Sequence, residues 1–223
     1  MLVVLILCLS FKTGNYTLIQ HIPGNYSFFT TDNMGCVYLV QGSQLYKYDE
    51  KGILLKTFSN KSYGSISYVD VSDPFKILVY YHEFRQILFL NNMLSPSGDP
   101  ITLDGLGVQQ AMLACSSYEN GLWVYDQSAN ELIRFDKNLS KSNQSSNTTQ
   151  ITGLVVQPSF MIEADGFVFL NDTANGVFIF DKYGSYYKLL PFKVLPSFQV
   201  TGEIVMYTKK SKLISYNFKN FEK

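Results

Sequence analysis

Apolar residues along the chain occur in short runs that alternate with polar residues at a period of two, between brief segments rich in Gly, Asp and Asn. A period of two is typical of β-strands, whereas an amphipathic helix shows a period near 3.6. The segment 121–138, GLWVYDQSANELIRFDKN, contains an apolar strand after a Gly, a polar loop and a second strand that ends in Phe-Asp. The pattern therefore predicts pairs of strands joined by hairpins, and it shows no helix of useful length.

The same unit recurs along the chain. Clear copies lie at 35–52, 121–138, 166–184 and 202–220, and a weaker copy lies at 76–93. Each copy ends in an aromatic residue or Leu followed by Asp or Asn, and these closing residues are Asp49, Asn91, Asp136, Asp181 and Asn217. They are separated by 42, 45, 45 and 36 residues. A period of this length with several short strands is typical of propeller blades and is too long for a leucine-rich repeat.

Two further strands complete each repeat. A first strand precedes each copy, at 26–29, 66–69, 111–114, 160–162 and 198–200. A fourth follows the closing residue in four repeats, at 53–58, 101–106, 150–155 and 186–192. The polar segment 137–149 is interpreted as a long loop between strands three and four of the third repeat.

The ends of the chain suggest how the repeats are closed. The fifth repeat has no fourth strand, and an orphan strand, YTLIQHI at 16–22, precedes the first repeat. Placed outside the last repeat, this strand would close a ring and leave no free sheet edge. The expected fold is all-β: a five-bladed propeller of four-stranded antiparallel blades, closed by the N-terminal strand. If the weak copy at 76–93 is not a blade, a sandwich of two sheets is the alternative.

The repeats resemble those of small β-propellers over residues 16–220. Their cadence, D-x-G before the second strand and D-x-x-G after the third, is most similar to NHL-type or related repeats. The Trp-Asp pair of WD40 blades and the double Gly of kelch blades are absent. The resemblance implies a central channel whose ligands bind on the face that carries the loops from strand two to strand three. It implies no particular activity.

Seven residues near that loop face are the candidate ligand-binding residues. They combine carboxylates, an amide, a cation and two aromatic rings: His82, Glu83, Arg85, Trp123, Asp126, Asn171 and Asp172. Aromatic faces beside carboxylates and amides suit a sugar or a peptide. The cluster of His82 and Glu83 with Arg85 is the densest, but neighbouring strand residues point to opposite faces, so the His and Glu need not converge on one substrate.

The sequence lacks recognisable catalytic motifs. It contains no GxSxG, P-loop, HExxH or CxxC motif, so no catalytic residue, metal site or cofactor is predicted. Asp70, Glu163 and Asp165 fall at the ends of first strands, on the face opposite the loops, which departs from the paired carboxylates of five-bladed glycosidases. Cys36 and Cys115 lie in apolar surroundings and are predicted to be buried free thiols.

Charge and the first residues bear on partners and location. The chain has 18 Lys and Arg against 18 Asp and Glu, which argues against a nucleic-acid partner held by a broad basic face. The apolar run within residues 1–13 is too short for a transmembrane span and is interpreted as a secretory signal segment, with a buried first strand as the alternative. The remaining residues, 14–223, are then a single propeller domain, which is expected to be exported to the periplasm, the cell surface or the medium, with a cytoplasmic location as the alternative.

These expectations favour a non-enzymatic binding module that engages a protein or a glycan through its loop face. A small hydrolase or lyase with its site at the channel mouth is the first alternative, and it requires carboxylates or His that converge in one pocket. An envelope assembly subunit is the second alternative, and it requires a large exposed apolar patch on the outer strands.

Overall fold

The structure, a computed structural model, describes residues 20–195, 197–209 and 212–220. The described residues form nineteen β-strands and one short α-helix. The strands make five antiparallel sheets in which consecutive strands are neighbours. None of the helices in these ranges is long and apolar enough to cross a membrane. The fold is a five-bladed β-propeller, which confirms the architecture that the repeat predicts.

Each blade takes its strands in chain order from the axis outward. Blade 1 contains β1 to β4, at Phe28–Thr31, Val37–Gln41, Gln44–Tyr48 and Leu54–Ser59. Blade 2 contains β5 to β8, at Tyr68–Asp70, Ile77–Tyr81, Gln86–Leu90 and Ile101–Thr102. Blade 3 contains β9 to β12, at Ala111–Ser117, Gly121–Asp126, Glu131–Phe135 and Lys141–Gln144. Blade 4 contains β13 to β16, at Phe160–Ala164, Phe167–Asp172, Gly176–Asp181 and Tyr186–Leu190. The described part of blade 5 contains β17 to β19, at Gln199–Thr201, Ile204–Lys209 and Lys212–Asn217.

The middle strands are apolar on both faces because each blade is packed between two others. Every residue of β6 and every residue of β10 is buried. A strand that is covered on both sides needs a continuous apolar run rather than strict alternation. The outer strands face solvent: five of the six residues of β4 are exposed, and β12 consists of Lys, Ser, Asn and Gln.

The inner strands meet around the axis and close the ring. β1 contacts β5, β5 contacts β9, and β9 contacts β13. Phe160, at the start of β13, packs edge-on against Phe198 beside β17, with 5.1 Å between the ring centroids. Gln199 Nε2 donates a hydrogen bond to Thr31 Oγ1 at 3.0 Å, which joins blade 5 to blade 1.

The Asp or Asn that closes each repeat caps the turn that follows the third strand. Asp181 Oδ1 accepts hydrogen bonds from the backbone N–H groups of Tyr183 and Ser185, both at 2.9 Å. The corresponding oxygens of the other closing residues also accept two N–H groups of their own turns; these are Asp49, Asn91, Asp136 and Asn217. A side chain that supplies acceptors for turn amides explains why this position recurs.

The prediction for the outer part of blade 3 is wrong. Residues 141–144, inside the segment 137–149 that was expected to be a loop, form β12 and pair with β11. Residues 150–155, the predicted fourth strand, instead belong in part to α1, at Thr148–Thr152, whose first turn is capped by the side chain of Asn147. An outer strand that meets water on its exposed face needs no apolar pattern, and its sequence therefore gives little signal.

Two other strand predictions differ from the structure or fall outside it. The fourth strand of blade 2 covers only Ile101–Thr102, and residues 103–106 turn into a 3₁₀ helix. The closing strand predicted at 16–22 lies mostly outside the described residues, as does the whole segment 1–13. The described part of the closing strand, residues 20–22, forms no strand, and Gln20 lies beside the turn between β3 and β4.

Candidate functional site

The topology gives the propeller two distinct faces. The loops between second and third strands and the connections between blades lie on one face, called the upper face. The turns between first and second strands, and between third and fourth strands, lie on the opposite, lower face. Because each inner strand runs from the upper to the lower face, its first residues line the upper channel and its last residues line the lower channel.

Four aromatic side chains close the channel part of the way along the axis. Phe28, Tyr68, Phe160 and Phe198 stand at the starts of the inner strands of blades 1, 2, 4 and 5. Their rings contact one another in series, edge-on, with centroids 5.4, 5.6 and 5.1 Å apart. The first three also line both of the cavities that lie along the axis. This aromatic plug therefore separates an upper cavity of 260 Å³ from a lower cavity of 830 Å³.

The lower cavity, called the lower chamber, combines apolar walls with a polar rim. It is lined by apolar side chains of the inner strands, among them Phe29, Val71, Ile162 and Val200, and it extends along blade 5 to Leu213 at the start of β19. Four carboxylates at the ends of the inner strands also line it: Asp32, Asp70, Glu163 and Asp165. A largely apolar cavity of several hundred Å³ with a few polar groups has the size and character of a ligand site.

Asp32 and Asp70 are fixed by hydrogen bonds from uncharged donors. Asp32 accepts two N–H groups of its own turn, at 2.9 and 2.8 Å, and the hydroxyl of Tyr38 at 2.9 Å. Asp70 accepts one N–H group of its turn at 2.9 Å and the N–H of Ser116 at 2.8 Å. The second bond ties the carboxylate of blade 2 to the inner strand of blade 3.

Glu163 ties blade 4 to blade 3. Its Oε2 accepts hydrogen bonds from Trp123 Nε1 and from Ser117 Oγ, both at 2.6 Å. Ser117 Oγ accepts in turn from Nε of Arg134 at 2.9 Å, and this Arg is only 3 % exposed. Trp123, which the sequence suggested as a ligand contact, is thus a fully buried partner of Glu163.

Three more of the predicted ligand-binding residues are buried at the upper ends of second strands. Asp126 accepts hydrogen bonds from the Ser128 hydroxyl and from two N–H groups of the connection that enters blade 3. Asp172 accepts one from the connection that enters blade 4. Asn171 donates to the carbonyl of Leu195 at 2.8 Å. In the structure these polar side chains join the blades to their connections.

The remaining predicted residues lie together in the loop between β6 and β7 on the upper face. His82 and Glu83 are exposed, and the His82 ring packs edge-on against Tyr80 where it lines the upper cavity. Arg85 makes a two-point ion pair with Asp104 at 2.6 and 2.7 Å. The seven predicted residues are therefore divided between one exposed loop and four buried positions.

The two thiols differ in their surroundings. Cys115 is fully buried, as predicted, whereas Cys36 is only half-buried, and both are free. Burial raises the pKa of the Cys115 thiol well above its ordinary value, and the negative charges of Asp70 and Glu163 raise it further. Asp70 and Glu163, which both line the lower chamber, therefore act electrostatically on the same buried thiol.

The first strands carry a sequence signal for the lower chamber that is absent from the second and third strands. A Ser followed by an aromatic residue opens the inner strand of four blades, and these pairs are Ser27-Phe28, Ser67-Tyr68, Ser159-Phe160 and Ser197-Phe198. In three of these strands an acidic residue follows within four positions, at Asp32, Asp70 and Glu163. The first strands by themselves thus indicate an aromatic layer with an acidic rim below it.

Comparisons with known proteins agree with the fold and add no family. No family model and no curated protein matches the sequence. The chain is similar to the Neurospora crassa Pan2 WD40 domain, with a TM-score of 0.61, 11 % identity and coverage of 89 % of this chain and 64 % of that one. It is similar to a catalytically inactive virginiamycin B lyase from Staphylococcus aureus with quinupristin, with a TM-score of 0.58, 11 % identity and coverage of 84 % and 64 %.

A third similar structure is BBS1N in complex with ARL6DN, with a TM-score of 0.56, 14 % identity and coverage of 86 % of this chain and 64 % of that one. At these identities the likeness shows the fold alone. This chain spans less than two thirds of the length of each of the three proteins.

Proposed function

We propose that the chain is a non-enzymatic binding module and that its partner, a protein, inserts into the lower chamber. The observation that carries this proposal is the 830 Å³ chamber itself, with apolar walls and carboxylates at its rim. Two apolar side chains of the lining are exposed, Phe29 at 62 % and Leu213 at 47 %. Both belong to the lining of one cavity, where they can contact an inserted segment.

The distribution of polar groups favours binding over hydrolysis or lyase chemistry. Among the described residues, His82 lies on the upper face, whereas the four carboxylates lie in the lower chamber, on the other side of the aromatic plug. Asp70 and Glu163 serve as hydrogen-bond acceptors that join blades. The four carboxylates do meet in one pocket, but Asp32, Asp70 and Glu163 are held there as acceptors of fixed N–H and O–H donors. Asp165 is the exposed acid among them, and one free carboxylate does not make an acid–base pair.

Fold analogy supports a protein rather than a glycan as the partner. BBS1N, a propeller-like neighbour of this chain, was crystallised in complex with ARL6DN, and the Pan2 WD40 domain shares the fold. This is an analogy of architecture, so the choice of chamber rests on its geometry and the choice of partner class rests on the analogy.

The proposal is tested by affinity capture from the producing cells with three tagged full-length baits: the native chain, Thr201→Trp and Glu83→Trp. Thr201 lines the chamber and is exposed, so an indole there fills the mouth. Glu83 is an equally exposed position on the upper face and serves as the matched control. We expect partners of the native bait to remain with Glu83→Trp and to be lost with Thr201→Trp. If capture of the partners is lost with Glu83→Trp alone, the binding site lies on the upper face.

An assembly subunit is the second candidate, because one outer edge is unusually apolar. In blade 1, Ile53, Leu54 and Leu55 are 59, 50 and 44 % exposed. A subunit that buries this edge should be oligomeric at micromolar concentration, and Leu54→Lys should return it to a monomer. Light scattering after size-exclusion chromatography measures both states, and a native monomer removes this candidate.

A further inference from the structure

The lower chamber carries an unbalanced negative charge. Its lining contains Asp32, Asp70, Glu163 and Asp165 but no Lys, Arg or His among the described residues. The two ion pairs found in the described part of the chain lie elsewhere: Arg85 with Asp104, and Lys219 with Glu203. The hydrogen bonds that hold Asp32 and Asp70 come from backbone N–H groups and a hydroxyl, which leave the charge of each carboxylate in place.

Cations of the described residues lie behind the chamber wall, and one is Lys47, whose Nζ is 5.4 Å from the centre of the Tyr38 ring that donates to Asp32. Arg134 is one hydrogen bond removed from Glu163, through Ser117 Oγ, and so offsets part of that charge. Lys76 lies in an adjoining cleft, where its Nζ donates to the carbonyl of Asn120 at 3.1 Å. None of these three side chains lines the chamber, so Asp32, Asp70 and Asp165 face it without a cation of the described chain.

The walls of the chamber are suited to the apolar stem of a long cationic side chain. Phe29 presents an exposed ring in the chamber lining, next to Phe28 of the plug, and Phe198 of the plug also lines the chamber. A cation near an aromatic face is attracted by the ring quadrupole, and lysine and arginine bury their methylene stems on apolar surfaces. Carboxylates at the rim and aromatic rings within are a combination that favours such a group over a neutral or an anionic one.

We infer that the lower chamber takes a basic side chain, lysine or arginine, presented by an exposed segment of the protein partner. This inference rests on the proposed function and names the chemistry of its ligand. Charge complementarity selects the basic side chain, and the exposed apolar residues of the lining, Phe29 and Leu213, provide contact for the flanking backbone of the segment. The expected interaction weakens with added salt because the carboxylate of Asp165 is exposed to solvent.

The inference can be tested with three peptides that differ at one position. The probes are the acetylated and amidated heptapeptides Gly-Ser-Gly-X-Gly-Ser-Gly, in which X is lysine, norleucine or glutamate. Norleucine keeps the stem of lysine and removes its charge. Saturation-transfer NMR with the full-length chain measures the affinity of each peptide. We expect the lysine peptide to bind at least about fivefold more tightly than the norleucine peptide, and the glutamate peptide to show no binding.

Two substitutions of the protein localise the effect. Asp165 is exposed, lines the chamber and has a φ of +50°, a conformation that Asn tolerates well, so Asp165→Asn removes charge and keeps the turn. Asp99, exposed in the loop between β7 and β8, provides the matched control Asp99→Asn. Asp165→Asn should weaken the lysine peptide about two- to fivefold and leave the norleucine peptide unchanged, and Asp99→Asn should change neither.

The outcomes separate this inference from the proposed function. Equal affinity for the lysine and norleucine peptides, or an equal effect of Asp165→Asn and Asp99→Asn, overturns the inference even if Thr201→Trp still abolishes capture of the partner. If Thr201→Trp leaves capture intact, the proposed function fails whatever the peptides show. Selective binding of the lysine peptide that Thr201→Trp and Asp165→Asn both weaken supports the inference.

Discussion

At the scale of single residues, one Asx side chain in each blade organises a whole turn. The sequence shows these residues as a recurrent position, and the structure shows the reason: Asp181 supplies an acceptor for two turn amides that otherwise need water or another partner. This part of the fold could be predicted because turn chemistry is local and each partner lies within four residues.

The turn bonds of Asp181 should contribute measurably to stability. Asp181→Ala removes both acceptors and is expected to lower the free energy of unfolding by about 1–2 kcal/mol, since each net hydrogen bond contributes about 0.5–1.5 kcal/mol. Asp181→Asn keeps the accepting oxygen and should cost less. Urea denaturation measures the difference, with Asp99→Ala as the control; equal effects at positions 181 and 99 would contradict this account of the turn.

Asp126 makes stability depend on pH in a defined direction. Burial acts to raise the pKa of Asp126, but hydrogen bonds from Ser128, Gln109 and Gln110 outweigh burial and hold the pKa below its ordinary value. A carboxylate with a lowered pKa stabilises the fold above its unfolded pKa, about 3.9, and that contribution is lost as the pH falls through the lower folded value.

The variant Asp126→Asn cannot titrate at this position. The free energy of unfolding of the native chain should therefore exceed that of the variant at pH 6, and the difference should shrink as the pH falls from about 5 to 3. Chemical denaturation across this range measures the difference. A difference that stays constant with pH would show that the Asp126 carboxylate is not the titrating group.

At the scale of elements, the sequence predicts the strands that are covered and misses those that face water. β10 and β14 are almost wholly buried and read as continuous apolar runs. β12 is polar throughout, and its place in the sheet comes from pairing with β11 rather than from its own composition. The error at 137–155 therefore has a physical cause: an outer strand is positioned by its neighbour and needs no apolar pattern.

The same contrast should appear in local stability. Amide hydrogens of β10 and β14 lie between packed blades and are expected to exchange only in global unfolding, whereas those of β12 exchange through local opening, on the order of 100-fold faster. Hydrogen–deuterium exchange with mass spectrometry resolves these segments. Equal protection of β10 and β12 would mean that the outer strand is held by more than its pairing with β11.

The candidate site illustrates the limits of prediction at this scale. Asp126, Asn171 and Asp172 were predicted to bind a ligand because of their polar side chains. In the structure each of them forms a hydrogen bond with the backbone of a segment that connects two blades. Asp70 was expected at the end of a first strand, and it lies there, but the ring also brings it together with Asp32 at the wall of one cavity. The period of two assigns residues to strands. Whether side chains from different blades meet depends on how the blades pack, and corresponding residues of neighbouring blades are about 40 positions apart in the chain.

At the scale of the whole molecule, the aromatic plug links the blades that surround the channel. Phe160 contacts Tyr68 of blade 2 and Phe198 of blade 5, and it is 6 % exposed.

Phe160→Ala should lower the free energy of unfolding by roughly 3–5 kcal/mol through lost burial and a cavity at the axis. Phe29→Ala, at a ring that is 62 % exposed, should cost well under about 1 kcal/mol. Thermal and urea denaturation compare the two, and equal losses would mean that the plug does not join the blades.

The central claim is that a protein partner enters the lower chamber, and site-specific photocrosslinking in the producing cells tests it most directly. The photoreactive amino acid p-benzoylphenylalanine replaces Phe29, an exposed residue of the chamber lining, or Phe84, a 49 % exposed Phe in the loop between β6 and β7 on the upper face. The two positions are matched in residue type and exposure. The account predicts a discrete crosslinked species at position 29 and none at position 84. A crosslink at position 84 with none at position 29 would contradict it and would place the partner on the upper face.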